Sequence, residues 1–322
     1  MFQQIQIAQK RLADYLRPTP LVASDDLGRR AATRVWLKLE TMQPTGTFKV
    51  RPALNSILAH LEQARQCGVV TSSSGNFAQA TAWAATALGV DAQIVMMRNA
   101  SPFKIERTKA FGGTVVPCGN TFEERWETTF RLQKETNRVF IHPYDSVETI
   151  AGNGVIGCEL AEQIDRDVCV LVPVSGGGLI AGIAAALKHL RPGCRVIGVQ
   201  PSANSSMHDS FRAGRPVTVT LGPSIADALV ATRPGDQPFA LVQQFVDDVV
   251  MIAEEDIVAA VRTLAVEQKL VVEGGGAAGV AALLAGKVDT KGLDVVCVLS
   301  GGNILPAKFA EIVAGPPAAG NA

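Results

Sequence analysis

Three short segments have the composition of a ligand cradle: Ser73-Ser74-Gly75-Asn76, Ser175-Gly176-Gly177-Gly178 and Ser300-Gly301-Gly302-Asn303. Each follows an apolar, β-branched run and precedes a helix-like pattern. In open α/β sheets, ligands bind at the carboxyl ends of the strands. A strand–glycine–helix turn leaves backbone N–H groups unpaired at a helix start, where the dipole favours an anion. Ser175–Gly178 is the best phosphate cradle, because three glycines permit close approach and a hydroxyl adds a donor. One such loop is equally well a tight structural turn, but three at strand ends favour a site. Two nucleotide readings weaken at once. No GxxxxGK[ST] occurs, and the acid of a dinucleotide fingerprint, expected about twenty residues after the glycines, is replaced by Gln200. The four histidines (His60, His142, His189, His208) lack the spacing of a zinc site.

The elements that would carry these loops alternate along the chain. Strands are predicted at Val35–Leu39, Gly68–Ser72, Ala92–Met97, Thr114–Pro117, Val168–Val174, Arg195–Val199 and Asp294–Leu299. Helices are predicted at Val50–Cys67, Ala78–Leu88, Pro102–Phe111, Thr121–Thr136, Leu179–His189, Glu254–Gln268 and Ala277–Ala285. Such alternation is the pattern of parallel sheets covered by helices. The twenty uncharged residues Val168–Leu187 have the length of a membrane span. Pro173 and the Ser-Gly-Gly-Gly run interrupt them, so strand followed by helix is the better reading. The tail from Gly315 to Ala322 is expected to fray.

Composition agrees. The chain has 322 residues, 47% hydrophobic and 19% charged, enough for about two domains with a large core. Thirty Lys+Arg balance thirty Asp+Glu, so no overall basic field exists for nucleic acid or an anionic membrane. Thirty glycines and 5% aromatics suit closely packed backbone. Six cysteines include no CxxC pair, and the N-terminus lacks a secretory pattern. Reduced thiols and a cytoplasmic location are expected, with Cys169 and Cys297 in the core.

Five motifs in order carry a resemblance: Arg17-Pro18-Thr19-Pro20-Leu21, Lys38-Leu39-Glu40 with Thr45-Gly46-Thr47-Phe48-Lys49-Val50-Arg51, Ser73-Ser74-Gly75-Asn76, Pro173 to Leu179, and Leu299 to Asn303. Over roughly residues 12–310 the chain resembles the threonine dehydratase/serine racemase family, which uses pyridoxal 5′-phosphate. The resemblance implies an α/β protein of two domains with mainly parallel sheets flanked by helices, PLP fold type II. It implies a large cofactor-binding domain of residues 1–45 and 146–322 and a small domain of residues 46–145 that carries the carboxylate-binding loop. Lys49 resembles the Schiff-base lysine and catalytic base, next to Phe48. Asn76 resembles the partner of the pyridine ring hydroxyl. Ser73, Ser74 and Gly75 resemble the loop that grips the substrate carboxylate. Ser175, Gly176, Gly177, Gly178 and Leu179 resemble the phosphate loop, and Ser300 the partner of the pyridine nitrogen. A serine is neutral there and leaves the ring a shallower electron sink than a carboxylate would, which suits β-elimination over transamination.

The activity implied is a dehydratase, or ammonia-lyase, that converts threonine, serine or phenylserine to a 2-oxo acid and ammonia. Lys49 would take the α-proton and the β-hydroxyl would leave as water. Alternatives on the same fold are a racemase, with Ser74 as second proton carrier, and a β-replacement synthase; a non-enzymatic cofactor carrier is the third. The expected partner is a small amino acid, with neither nucleic acid nor membrane, and a homodimer is left open. Some residues depart from the family. Phe77 stands where histidine is usual, and Ala228 and Pro52 stand where glycine is usual. These departures put an aromatic β-substituent in view. Glu273 persists near the substrate, followed by Gly274-Gly275-Gly276. Isoleucine-type feedback is not expected. The acids that bind a divalent cation in relatives read here as Gln200 and Ser206, which hard cations do not choose. No metal is therefore expected, and EDTA should leave ammonia release and Tm nearly unchanged. Inactivation reversed by magnesium or calcium would contradict that expectation.

Overall fold

The computed structural model describes residues 1–315; all of the predicted frayed tail except Gly315 lies outside them. Ten strands form two sheets: β1 (Leu21–Ala23), β2 (Val35–Leu39), β3 (Val69–Ser72), β4 (Ala92–Met97), β5 (Thr114–Cys118), β6 (Val139–Phe140), β7 (Val168–Pro173), β8 (Arg195–Pro201), β9 (Asp248–Ile252) and β10 (Asp294–Leu299). One sheet has the order β1-β2-β10-β7-β8-β9 and the other β5-β4-β3-β6. Every pairing is parallel except that of β1 with β2.

The larger sheet is covered on both faces, so its central strands can be apolar at every position. Cys169 and Leu171 of β7 join Cys297 of β10 in one apolar cluster, and Val170 and Val172 join Val296 and Val298 in the other. Both cysteines predicted for the core are there, and burial pushes the Cys169 thiol up to about 12. The uncharged stretch from Val168 is β7 followed by the helix Gly178–Leu190. Among the described residues no helix is long and apolar enough to cross a membrane.

Several elements are absent from the sequence expectation, among them the helices Phe2–Leu12, Asp236–Phe245 and Pro306–Ala314 and the strand β9, and two differences bear on the site. The predicted helix Val50–Cys67 is two helices, Val50–Ala59 and Leu61–Cys67, with His60 between them at φ −123°. The helix Val147–Gln163 was not predicted at all, yet twelve of its residues are buried. Gly152, Gly154 and Gly157 lower its intrinsic propensity by about 1 kcal/mol each relative to alanine. Gly154 and Gly157 belong to a close helix crossing with Gly178–Leu190, and Gly152 packs on the helix Val50–Ala59, where a Cβ would come within 2.9 Å of the Arg51 carbonyl oxygen. A Cβ on Gly182 would come within 2.4 Å of the Ile150 carbonyl oxygen and 2.6 Å of the Gly154 nitrogen. Tertiary packing, not propensity, makes this helix.

The same helix carries one half of a buried ionic cluster. Alternation along β2 sends Trp36 and Lys38 to the face that the helix covers. Lys38 Nζ donates to Glu159 at 2.6 Å and to Gln163, one turn further on, at 2.9 Å. Arg51 bridges Glu159 and Glu40, with contacts of 2.6–2.9 Å. Thr19 adds its hydroxyl to Glu40 and its N–H to Glu159. All four charged side chains are buried. Burial alone would push the Glu40 carboxyl up, but Arg51 and Lys38 overcome it and hold the group below its ordinary value. Removing one partner of such a cluster strands the others in low dielectric, at about 3–5 kcal/mol. Glu159→Gln should therefore lower unfolding free energy by about 3–5 kcal/mol in urea titration. A loss below about 1 kcal/mol, the scale of a surface pair, would mean that water reaches the cluster.

Candidate active site

Two of the loops picked out by composition converge on the segment that carries Lys49. The segment before the helix Val50–Ala59 is stitched to the loop after β10. Phe48 N donates to the Ser300 carbonyl at 3.0 Å, Gly302 N to the Gly46 carbonyl at 2.9 Å, and Thr47 pairs with Gly301 in an isolated bridge. Lys49 is thereby set beside Ser300. The loop after β3 joins through Asn76, whose amide donates to Glu273 Oε1 at 2.7 Å and accepts from Asn303 Nδ2 at 2.9 Å. Asn303 also holds the Thr45 carbonyl at 2.9 Å. One amide network thus ties the small sheet's loop to both large-sheet segments. Ser73 Oγ accepts from Gly75 N, a contact inside the loop.

Lys49 is half-buried. Its Nζ donates to the Pro143 carbonyl at 3.1 Å and lies 4.9 Å from the Phe48 ring centre and 5.5 Å from that of Phe77. Burial lowers the amine to about 8, with the Glu273 carboxylate acting in the opposite direction. Glu273 mirrors it: burial first, then the nearby Asp227 charge, raise its carboxyl to about 7, while Lys104 and the Asn76 bond act against them. Desolvation disfavours both charged forms, moving an acid up and a base down.

The glycine loop occupies the junction of β7 and the helix Gly178–Leu190. Gly177 has φ +96°, which side chains rarely adopt, and no side chain caps the helix start. Gly176 lies so close to Tyr144 that a Cβ would meet the ring at 2.5 Å. Ser175 Oγ accepts from Ala231 N at 3.0 Å, which ties the loop to the segment after Leu229. Leu179 is buried in the adjoining core. Ala228 lies just before that segment, where a Cβ on Gly275 would meet its Cβ at 3.4 Å.

These features fit pyridoxal phosphate. An uncapped helix start at a glycine turn suits its phosphate, a half-buried amine with one carbonyl partner suits its aldehyde, and the buried Glu273 Oε2, without a partner among the described residues, awaits a polar neighbour. The sequence reading missed several residues here. His142 is half-buried and its imidazole is pushed down to about 4 by desolvation, so it is neutral, and its Nδ1 accepts from Tyr144 N and Asp145 N. That shapes the turn whose Pro143 carbonyl receives Lys49. Arg125 donates to Ser72 at 2.9 Å and to Ser74 at 3.5 Å. The apolar run before His142 is only the two-residue β6, so no strong strand signal marked this loop. Gln200 Oε1 accepts from Met207 N and His208 N at 3.0 Å, and its amide donates to Ser206 at 3.2 Å. No group of three or more metal-ligating side chains occurs among the described residues.

Comparison with known proteins gives the class. Residues 12–301 match the family of pyridoxal-phosphate-dependent enzymes, and the chain belongs to that family. It is 44% identical over 303 residues to the L-threonine ammonia-lyase of Thermotoga maritima, covering 94% of this chain and 75% of the relative. Among solved structures it resembles maize serine racemase (TM-score 0.92, 36% identity, 96% of this chain and 95% of that one). It also resembles a threonine deaminase from T.th. (TM-score 0.88, 38% identity, 94% and 97%). The architecture is fold type II, as the motifs led us to expect.

Lys49→Ala should abolish the visible absorbance of the lysine-bound cofactor and lower turnover about a thousandfold or more, because attachment and base go together. Spectra and ammonia assays on the purified variant test this, and undiminished deamination would exclude Lys49 as the base.

Proposed function

We propose that the chain is a dehydratase of β-hydroxy-α-amino acids, releasing a 2-oxo acid and ammonia, with threonine as the reference substrate. The observation that carries this reading is the Lys49 amine, lowered to about 8 between two phenyl rings, as a base available near neutral pH. When bound, pyridoxal phosphate supplies an electron sink conjugated to the substrate nitrogen, which acidifies the Cα–H. The protein does the rest. The Ser175–Leu179 turn would hold the phosphate, the Ser300 hydroxyl would meet the ring nitrogen without charging it, and Asn76 would meet the ring hydroxyl. The Ser73–Gly75 backbone would grip the substrate carboxylate, and Lys49 would take the α-proton. In this reading residues 46–145 form a small domain offering the carboxylate loop to the cofactor domain of residues 1–45 and 146–322.

Elimination is favoured over racemisation by Ser74. A racemase needs a second base facing Lys49. The Ser74 hydroxyl oxygen accepts from Met97 N at 3.0 Å and from Arg125 at 3.5 Å, which engages its two lone pairs. It is a poor proton acceptor in that state.

Phe77 bears on the choice of substrate. Its side chain is only 2% exposed and belongs to the apolar cluster of the small sheet, so most of the ring is packing. The part that faces Lys49 is what a β-substituent would meet. Burying an aromatic substituent there contributes about 1.5–3 kcal/mol, or about one to two orders of magnitude in kcat/KM. The expected outcome is that threo-phenylserine is used at least as well as threonine, and that Phe77→His moves the ratio towards threonine. Steady-state kcat/KM for the two substrates checks it. Preference for threonine with a ratio untouched by Phe77→His would reduce Phe77 to packing and leave a plain threonine/serine dehydratase.

A further inference from the structure

An uncharged chain of buried side chains backs the glycine turn. Gln200 stands near the end of β8 and is fully buried. Its Oε1 accepts from Met207 N and His208 N, both at 3.0 Å, and so satisfies two N–H groups in the first turn of the helix Ser206–Ala213. Its Nε2 donates to Ser206 Oγ at 3.2 Å, and the Ser206 hydroxyl donates onward to the Ala231 carbonyl at 2.9 Å. Asn204 adds a second hold. Its Oδ1 accepts from Ser206 N at 3.2 Å, and its Nδ2 donates to the Leu229 and Ala231 carbonyls at 2.8 and 3.1 Å. Ser206 and Asn204 are buried as well.

These contacts end on a stretch that no regular structure defines. Residues 216–235 form neither helix nor strand. Within it the Ala231 carbonyl oxygen has both lone pairs engaged, and the Ala231 N–H donates to Ser175 Oγ at 3.0 Å. That donor occupies one lone pair of a half-buried hydroxyl whose hydrogen has no acceptor among the described residues. Linked hydrogen bonds polarise one another, so an oxygen that accepts makes its own O–H a stronger donor. The turn is held from the same side a second time. Gly235 N donates to the Gly176 carbonyl at 3.0 Å, and a Cβ on Gly177 would come within 2.5 Å of Met207 Cε. Met207 is itself fixed through its N–H by Gln200.

We propose that Gln200, Asn204 and Ser206 are positioning residues for the cofactor phosphate. They fix Ala231, the Ala231 N–H fixes the Ser175 oxygen, and the Ser175 O–H is left to donate to the phosphate at the uncapped start of the helix Gly178–Leu190. The proposal rests on the reading of Ser175–Leu179 as the phosphate turn. Orphan N–H groups and the helix dipole supply attraction there, and the relay supplies direction. A donor aimed in advance loses less freedom when the ligand arrives. No member of the relay titrates in the physiological range, so the aim of the hydroxyl does not follow pH.

The test is a double-mutant cycle read in cofactor affinity. Ser206→Ala breaks the relay at its middle, Ser175→Ala removes its end, and the double variant removes both. Holoenzyme of each is dialysed against a falling series of pyridoxal phosphate concentrations, bound cofactor is read by its absorbance, and Tm is recorded at each concentration. Each single variant should raise Kd about 10-fold or more, as the loss of one hydrogen bond to a charged group does. The double variant should be within about 2-fold of Ser175→Ala, because Ser206 acts through that hydroxyl. The rise of Tm with cofactor concentration should move to higher concentration by the same factor. Should Ser206→Ala fail to fold, Asn204→Ala, which removes the other donor to the Ala231 carbonyl, takes its place in the cycle. A Ser206→Ala variant with lower Tm at every concentration and an unchanged Kd would make the network merely structural. A double variant about 100-fold weaker than the wild type would mean that Ser206 acts by another route. Either result, alongside a weakened Ser175→Ala, overturns the relay and leaves the phosphate turn standing. An unchanged Kd in Ser175→Ala would overturn the reading of that serine as part of the phosphate turn, and the proposal with it.

Discussion

Arg51 is held between two carboxylates in the interior, and much else follows from that contact. It stands two residues after Lys49, in the first turn of the helix Val50–Ala59. Its guanidinium grips Glu40 from the turn after β2 and Glu159 from the long helix Val147–Gln163, and Lys38 completes the cluster. Segments distant in sequence are thus fixed at one point, and Lys49 sits at its edge. Buried ion pairs are weak sources of stability, because desolvation consumes most of the Coulomb gain. Geometric definition is a better account of this one. A planar, bidentate guanidinium tolerates little rotation, whereas an apolar contact of the same volume would let the helix start drift.

From that anchor the cleft is assembled by backbone pairing and not by further charge. The Thr45–Lys49 segment zips onto the Ser300–Asn303 loop, Asn303 passes the register to Asn76, and Asn76 holds Glu273. His142 works in the same neutral idiom. Burial keeps the ring uncharged, stacking on Trp126 at 5.2 Å holds its plane, and its Nδ1 organises the turn carrying the Pro143 carbonyl. A charged imidazole there would lose its acceptor and repel the lysine amine.

How much of this could be read from residues alone depends on the kind of interaction. Parallel strands of a doubly covered sheet are continuous apolar runs, and β7 and β10 were visible for that reason. The glycine loops were visible because few residues can follow a strand and open a helix at once. The helix Val147–Gln163 was not, since three glycines suppress its propensity and only its packing on Gly178–Leu190 and Val50–Ala59 explains them. Lys38 and Glu159 are invisible for another reason. A single charge in an apolar run reads as a surface position until its partner, here 121 residues away, is known. Lys49 was legible only through the Thr-Gly-Thr-Phe pattern around it, and the Pro143 carbonyl, His142 and Arg125 had no pattern to announce them. Phe77 was noticed as a departure, but its near-complete burial depends on the small sheet's core and could not be read locally.

The shifts of Lys49 and Glu273 are best understood together. A buried acid and a buried base that attract each other could settle as an ion pair, with the acid lowered and the base raised. Here the reverse holds, and desolvation is the largest cause for both. The reason lies in what surrounds each group. Lys49 meets two phenyl faces and a single carbonyl, so little in the cleft solvates an ammonium. Glu273 has the Asn76 amide and the Asn303 N–H as donors and the Asp227 charge against it. Their mutual attraction offsets only part of those costs. The cleft therefore leaves both groups able to exchange a proton near neutral pH. The Arg51 cluster shows the opposite outcome in the same molecule. There every carboxylate oxygen has donors, and the Glu40 carboxyl is held below its ordinary value. Hydrogen-bond supply, more than depth of burial, decides which buried groups in this chain stay charged and which remain free to move protons.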